Sequence, residues 1–448
     1  MKPHRLRGMF VREPPVAKKA EVQIESMAFR GFGVTRIEGK VVFVPYTATG
    51  DRARIEVVEE KKNYSLGKVT RLIEPSPWRT DPPCPYFGVC GGCQWQHIRY
   101  PIHGEIKCQV LRDVLGRLGG LKEIPPVHVI PSSASYGYRV RVQMKVKDGR
   151  MGFFEERSHR VVDIEHCPIA HPLVNGILAT LRDVWASLSP AEGIEINVSP
   201  DQGKGLLLLR VPSLPPTLRD LLKALLRAHP QVKGAAVLTK GKTLHFGDPF
   251  LSYRIPSDDR GEHRDLRLRT SPGSFIQVNL DQNTRLIQTV VEYAGVRPEE
   301  RVLDLYAGVG NLTLPLALQT EEIYGVEENR DAVQDGMFSA RENGLQACTF
   351  ITGKAEDVLA RWDKRKPHVV VLDPPRTGCR KVLDHVLRWK PRRILYVSCS
   401  PATFARDLRF LSERQYALEK LTLLDMFPQT YHMECVGLLR PPCSGDTR

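Results

Sequence analysis

The sequence predicts a multidomain α/β protein, and three patterns along its 448 residues carry that prediction. Short β-branched runs crowd the first part of the chain. A cysteine cluster follows a proline-rich boundary, and from about residue 270 helical segments alternate with apolar strands. These patterns describe an N-terminal OB-like β-barrel, a central α+β domain and a C-terminal Rossmann-like domain.

The barrel is read from residues 22–24, 33–37, 40–44, 52–58 and 67–72, five short strands rich in β-branched side chains. Glu38-Gly39 suits a tight hairpin between two of them. Small barrels of this type often bind nucleic acid on an exposed face, for which Lys61, Lys62 and Tyr64 are the candidates; a mere spacer is the plainer alternative. Pro75, Pro77, Pro82, Pro83 and Pro85 mark the boundary. Residues 108–118 then place Val110, Leu111, Val114 and Leu115 on one helical stripe.

Residues 139–147 alternate strictly. Arg139, Arg141, Lys145 and Lys147 fall on one face of a strand and Val140, Val142, Met144 and Val146 on the other. Asp148-Gly149 closes a hairpin. Four cations in a row, with no acid among them, predict contact with nucleic-acid phosphates rather than an ordinary solvated face.

Composition points the same way. Lys plus Arg number 65 against 51 for Asp plus Glu, a net charge of +14 that suits a polyanionic partner. No apolar run approaches the roughly 20 residues of a membrane span. Residues 1–20 carry six Lys/Arg and one Glu without an apolar core, so no secretory signal is expected and a cytoplasmic location is. Ten cysteines in such a chain argue against a disulfide framework. Cys84, Cys90 and Cys93 form a cluster, and Cys167 can supply a fourth thiolate; zinc and an iron–sulfur group both suit four thiolates. The lack of two paired Cys-x2-Cys units leans towards iron–sulfur.

The C-terminal strands are expected at residues 301–306, 322–326, 368–372 and 393–397. Asp304-Leu-Tyr-Ala-Gly-Val-Gly-Asn311 follows the first, and glycines at a strand-to-helix turn let backbone approach a ligand. Glu327 ends the second strand about 23 residues later, a spacing that suits ribose hydroxyls. Because the full three-glycine dinucleotide fingerprint is absent, S-adenosylmethionine fits better than NAD. Asp373-Pro-Pro-Arg376 follows the third strand. Cys399 ends the fourth, where Pro401 can open a helix whose N-terminus favours a thiolate. A lone cysteine is ordinarily a small core residue, but this position marks a nucleophile. Glu434, between Met433 and Cys435, is a candidate general base.

With these residues in hand, the chain resembles the RNA uridine-C5 methyltransferases, specifically the branch with an N-terminal TRAM barrel and a [4Fe–4S] cluster. The matching elements are the four cysteines, Ser274-Phe-Ile-Gln277-Val-Asn279, the 304–311 and 373–376 motifs, Ser398-Cys399-Ser-Pro-Ala-Thr403 and the 427–434 motif. The resemblance implies S-adenosyl-L-methionine contacts at Gln277, Tyr306, Asn311, Glu327, Asp357 and Asp373. It makes Cys399 the nucleophile and Glu434 the base, and gives the cluster to Cys84, Cys90, Cys93 and Cys167. Ser400 stands where the family more usually has Asn. The implied partner is RNA, with large-subunit ribosomal RNA favoured and tRNA open, and a monomer without membrane attachment is expected. The domains then divide as 14–75 for the barrel, 80–98 with 130–267 for the central RNA-binding domain, and 99–129 with 268–448 for the methyltransferase.

The chemistry accounts for the residue types. C5 of uracil is a poor nucleophile until a thiolate adds at C6, and a base must later remove the C5 proton. The target must leave its stack to reach the thiol. A cytosine-C5 methyltransferase would carry a second cysteine directly after the proline of its preceding motif, whereas Cys379 lies four residues past Pro375. A radical methylthiotransferase would use a Cys-x3-Cys-x2-Cys triad, which is absent. A non-catalytic RNA chaperone would have no need of Cys399 and Glu434.

Overall fold

Residues 18–184, 191–256 and 264–442 are described by the structure, a computed structural model. Cys443 and residues 14–17 of the expected barrel lie outside them. The chain divides into two compact units, one ending at Arg79 and one beginning at Thr80.

In the first unit the strands run in the order Lys19–Gln23, Arg52–Glu60, Tyr64–Glu74, Lys40–Val44, Phe32–Ile37 and Ser26–Ala28. The two outermost strands are neighbours in sequence, joined by a bend at Ile24. One pairs with Arg52–Glu60 and the other with Phe32–Ile37, so the bend closes the sheet on itself. Val22, Ile24, Val42, Val44, Ala53 and Ile55 fill the interior. Glu38 and Gly39 both have positive φ, 51° and 81°, as a type I′ hairpin requires. The short strand Ser26–Ala28 escapes the sequence pattern because three residues are too few to show alternation.

Two large sheets and the antiparallel pair Leu251–Ile255 with Leu266–Thr270 build the second unit. The central sheet has the order Val161–Asp163, Arg150–Phe154, Arg141–Lys147, Gly193–Ser199, Lys204–Arg210, Val232–Thr239 and Lys242–Gly247. The helices Pro172–Asp183 and Pro216–Ala228 cover it with buried stripes that include Ile177, Leu181, Leu218 and Leu222. The larger sheet runs Cys348–Thr352, Glu322–Glu327, Arg301–Leu305, Val369–Leu372, Arg393–Ser398, Glu434–Arg440, Ala417–Leu424 and Val127–Ile130. Its first five strands are parallel, and Glu434–Arg440 enters antiparallel. The order reverses beside Arg301–Leu305, the switch point at which open α/β sheets bind ligands. One continuous apolar core joins the two sheets, with Ile196 of the first and Val302 of the second both fully buried in it. Among the described residues no helix is long and apolar enough to cross a membrane.

The structure corrects the cationic strand in one respect. Arg139 precedes the strand Arg141–Lys147 and makes only isolated bridges, to Ala170 and Asn279. Arg141 does not face solvent. Its Nε and Nη2 donate to Glu195 at 2.7 and 3.1 Å, and Gln143 donates to the same carboxylate at 2.8 Å. Glu195 lies on the neighbouring strand, in register with Gln143, so the acid that neutralises the row is invisible in the row's own sequence. Lys145 and Lys147 stay exposed.

Candidate functional site

The strand Arg301–Leu305 delivers its chain into the glycine loop at the switch point. Tyr306 sits at φ 69°, and its N–H and that of Ala307 both donate to the Val326 carbonyl. A tyrosine in the left-handed region is strained, and such strain persists where surroundings impose it. Gly308 and Gly310 follow with positive φ, and a Cβ on Gly310 would stand 3.0 Å from the Phe350 ring. Glu327 accepts from the Gly308 N–H at 3.0 Å and the Asn329 N–H at 2.8 Å, bracing the loop from the next strand.

A cavity of about 360 Å³ opens beside this loop. It gathers Gln277, Tyr306, Asn311 and Asp373 of the expected donor contacts. Glu327 stands behind the loop rather than in the lining. Asp357 lies exposed in the first turn of the helix Ala355–Ala360, also outside the lining. Sequence reading missed Asn283, which exchanges two 2.8 Å hydrogen bonds with Asn311, amide to amide. The available signal was Asn279, which caps the helix Leu280–Ala294 through the Gln282 N–H and so aims that helix's first turn at the cavity.

Cys399 lies between the strand Arg393–Ser398 and the helix Pro401–Ser412. Ser398 pairs with Cys435 across the antiparallel ladder, so one further step along each chain sets Cys399 beside Glu434. Glu434 is buried. Burial, then the Asp373 carboxylate, raise its proton affinity well above that of a free acid, and Arg376 pulls it back. Asp373 is pushed up to about 7 by burial. The Cys399 thiol is pushed up to about 12, first by burial and then by Glu434 and Asp373, while Arg376 favours its thiolate. Asp304, beneath the glycine loop, is pushed up to about 7 mainly by burial, although Thr313 donates to it at 2.6 Å. Two carboxyl groups, Glu434 and Asp373, act on one thiol, and the site is thereby primed for a cation and for proton transfer.

A second cavity of about 530 Å³ is lined by Arg376, Phe427, Thr430 and His432 together with Arg139, and by Cys84, Cys90, Cys93 and Cys167. Burial keeps the His432 ring neutral, with its proton affinity down to about 3, and nearby Arg376, Lys107 and Arg139 add to this. Arg376 and His432 belong to the 373–376 and 427–434 motifs, yet sequence gives neither a role, because only the fold turns them into one cavity.

The four cysteines thus converge although 74 residues separate Cys93 from Cys167. Burial, with a contribution from the neighbouring thiols, raises Cys90 to about 11 and Cys93 to about 12. Among the described residues no three His, Cys, Asp or Glu stand close enough to hold a single metal ion. A set of four thiols is a donor set that suits a thiophilic metal, single or clustered.

Comparison with known proteins gives concordant results. Residues 222–441 match the family described as tRNA (Uracil-5-)-methyltransferase, and residues 20–78 match the TRAM domain of tRNA (uracil(54)-C(5))-methyltransferase. The 23S rRNA (uracil(1939)-C(5))-methyltransferase RlmD of Klebsiella pneumoniae is 36% identical, with 91% of this chain and 92% of that protein aligned. An uncharacterized RNA methyltransferase of Aquifex aeolicus is 34% identical over 94% and 98% of the two chains. The crystal structure of Pyrococcus abyssi tRNA (uracil-54, C5)-methyltransferase with S-adenosyl-L-homocysteine superposes with a TM-score of 0.73, covering 94% of this chain and 99% of that one at 24% identity. Barrel and parallel sheet agree with these matches: the chain belongs to the RNA uracil-C5 methyltransferase family, enzymes that use S-adenosylmethionine to methylate C5 of uridine in RNA.

Proposed function

We propose that this protein methylates C5 of one uridine in large-subunit ribosomal RNA, acting as a cytoplasmic monomer. The observation that carries the proposal is the ladder register that sets Cys399 beside Glu434, with Asp373 bordering the donor cavity. Gln277, Tyr306, Asn311 and Asp373 line the space for S-adenosylmethionine, Glu327 braces its glycine loop, and Asp357 stands further out. The donor, when bound, supplies a methyl group on a sulfonium.

Cys399 gives its proton to the Asp373 carboxylate and adds to C6, which leaves C5 nucleophilic and Glu434 free to act as the base. Arg376 stabilises the thiolate during this addition. After C5 has taken the methyl group, Glu434 removes the C5 proton, the C6–sulfur bond breaks and the Cys399 thiolate is regenerated. His432, neutral and half-buried, and Arg376 line the cavity that admits the flipped base. Arg139, Lys145 and Lys147 are the candidate phosphate contacts, and Arg141 is held by Glu195. Cys84, Cys90, Cys93 and Cys167 would hold a [4Fe–4S] cluster, which shapes the RNA-binding side and moves no electrons, since the reaction has no net redox change. The family profiles and the solved relative are named for tRNA, which makes tRNA the second reading.

Mapping 5-methyluridine in ribosomal RNA and tRNA from a deletion strain separates the two. Loss of one ribosomal position is expected, and loss confined to tRNA would move the substrate. Glu434→Gln should accumulate a methylated RNA–protein adduct stable to denaturing electrophoresis, and Cys399→Ala should form none.

A further inference from the structure

The loop from Phe427 to Thr430, which leads directly into His432 and Glu434, is held by its main chain. Lys107 Nζ donates to the Phe427 carbonyl at 3.3 Å. Tyr138 Oη donates to the Pro428 carbonyl at 3.0 Å. The N–H groups of Gln94 and Trp95 both donate to the Gln429 carbonyl, at 3.1 and 3.0 Å. Three consecutive carbonyls are therefore taken by donors from far away in the sequence. Two of those donors follow immediately after Cys93.

The loop needs holding. Gln429 is buried and sits at φ 66°, a conformation that a non-glycine residue keeps only when its surroundings impose it. Lys107 is itself fully buried and paired with Asp425 at 2.5 Å, so its position is set at both ends. Tyr138 is buried too, and Trp95 is packed against His103. On the other side, Gln94 Nε2 donates to the Gly91 carbonyl, and the Gly91 N–H donates to the Phe154 carbonyl, which ties the cysteine segment to the central sheet. The path from the cysteine site to the catalytic loop is a chain of direct hydrogen bonds.

We propose that Tyr138, Lys107 and the main chain after Cys93 form a clamp that positions the base Glu434, so that the integrity of the four-cysteine site governs proton removal and adduct breakdown. Thiol addition depends on Cys399 and Arg376, which follow the strands Arg393–Ser398 and Val369–Leu372 and lie outside the clamped loop, and is not governed by the clamp. The inference rests on the reading of Glu434 as the base.

Tyr138→Phe deletes one hydrogen bond and keeps the ring. Lys107→Met with Asp425→Leu deletes another, and replacing a buried ion pair by apolar residues of similar volume need not harm the fold. Each variant should slow adduct breakdown about fivefold, the equivalent of one hydrogen bond, while adduct formation keeps its rate and the methylated adduct builds up. A merely structural defect would slow both steps together and overturn the clamp. Glu434→Gln is measured beside them. If it accumulates adduct and the clamp variants do not, the clamp fails and the base stands; if none accumulates adduct, both readings fail. Cys93→Ser in the full chain, followed by amide hydrogen exchange, reads the same link without activity. Faster exchange spreading from residues 94–95 to 427–434 is expected, and a change confined to residues 84–97 would overturn the coupling.

Discussion

Replacing Glu434 by Gln should make Cys399 more reactive towards alkylation, even though it blocks catalysis. The thiol is lifted from 9.0 to about 12 by burial and by the carboxylates of Glu434 and Asp373, with Arg376 offsetting part of the rise. At about pH 8 a thiol shifted by about three units is roughly one part in 10,000 thiolate, against roughly a tenth for an unshifted one. That thousandfold deficit corresponds to about 4 kcal/mol. A full like charge at about 6 Å in an effective dielectric of about 20 contributes about 3 kcal/mol, or about two pH units. Glu434 itself holds its proton more tightly than a free acid, so only part of that charge is present near neutrality. A fall of about one unit, and tenfold faster alkylation, is the expected outcome. The sign is set by electrostatics: removing a neighbouring negative charge favours the thiolate. Iodoacetamide labelling of the Cys399 peptide, followed by mass spectrometry between about pH 7 and 10, measures it. The parent rate should climb about tenfold per pH unit without a plateau. A plateau below about pH 9, or slower labelling in Glu434→Gln, would refute the placement of the carboxylate beside the thiol.

Other perturbations test the remaining parts. Arg139, Lys145 and Lys147 changed together to Gln should reduce the salt dependence of RNA binding, by roughly 0.7–0.9 in log–log slope for each phosphate no longer neutralised, read by titration in increasing salt. Arg141→Gln should act differently, lowering the melting temperature at a cost of about 3 kcal/mol, because it leaves Glu195 buried without its cation. Asp304 should make the donor-free protein lose stability as pH rises from about 4 to 7, since its folded proton affinity is raised: the contribution is full below the unfolded value and gone above about 7, some 4 kcal/mol in all. Asp304→Asn should flatten that part of the pH–stability curve, and an unchanged curve in denaturant titrations would rule the assignment out. Elemental analysis of anaerobically purified protein should find iron and sulfide, and stoichiometric zinc without either would reject the cluster.

Much of the site is legible in the sequence because its chemistry sits at strand ends. Cys399 and Asp373 each follow an apolar run of four or five residues, and a parallel strand of that kind presents its C-terminal end to the ligand whatever its neighbours are. The hairpins at Glu38-Gly39 and Asp148-Gly149 are equally local, since only a few residue pairs accept positive φ twice in succession. Arg141 departs from the sequence expectation for the opposite reason. Alternation tells which face a side chain takes but not which strand lies alongside, and Glu195 arrives from over fifty residues away. Asp357 and Glu327 show the same limit on a smaller scale: spacing places an acid after a strand, while the loop's curvature decides whether it reaches the cavity or braces the turn behind it.

By itself, then, the order of residues determined the closed barrel, the parallel sheet, the cysteine at the strand end and the grouping of Cys84, Cys90 and Cys93, because each depends on periodicity or on residue types adjacent along the chain. Tertiary structure alone decided that Glu434 stands beside Cys399, that Asn283 locks Asn311, and that Tyr138, Lys107 and the segment after Cys93 hold the loop of the base. Those contacts join strands and loops up to about 330 residues apart, and their free energies depend on burial and hydrogen-bond geometry that no local pattern encodes.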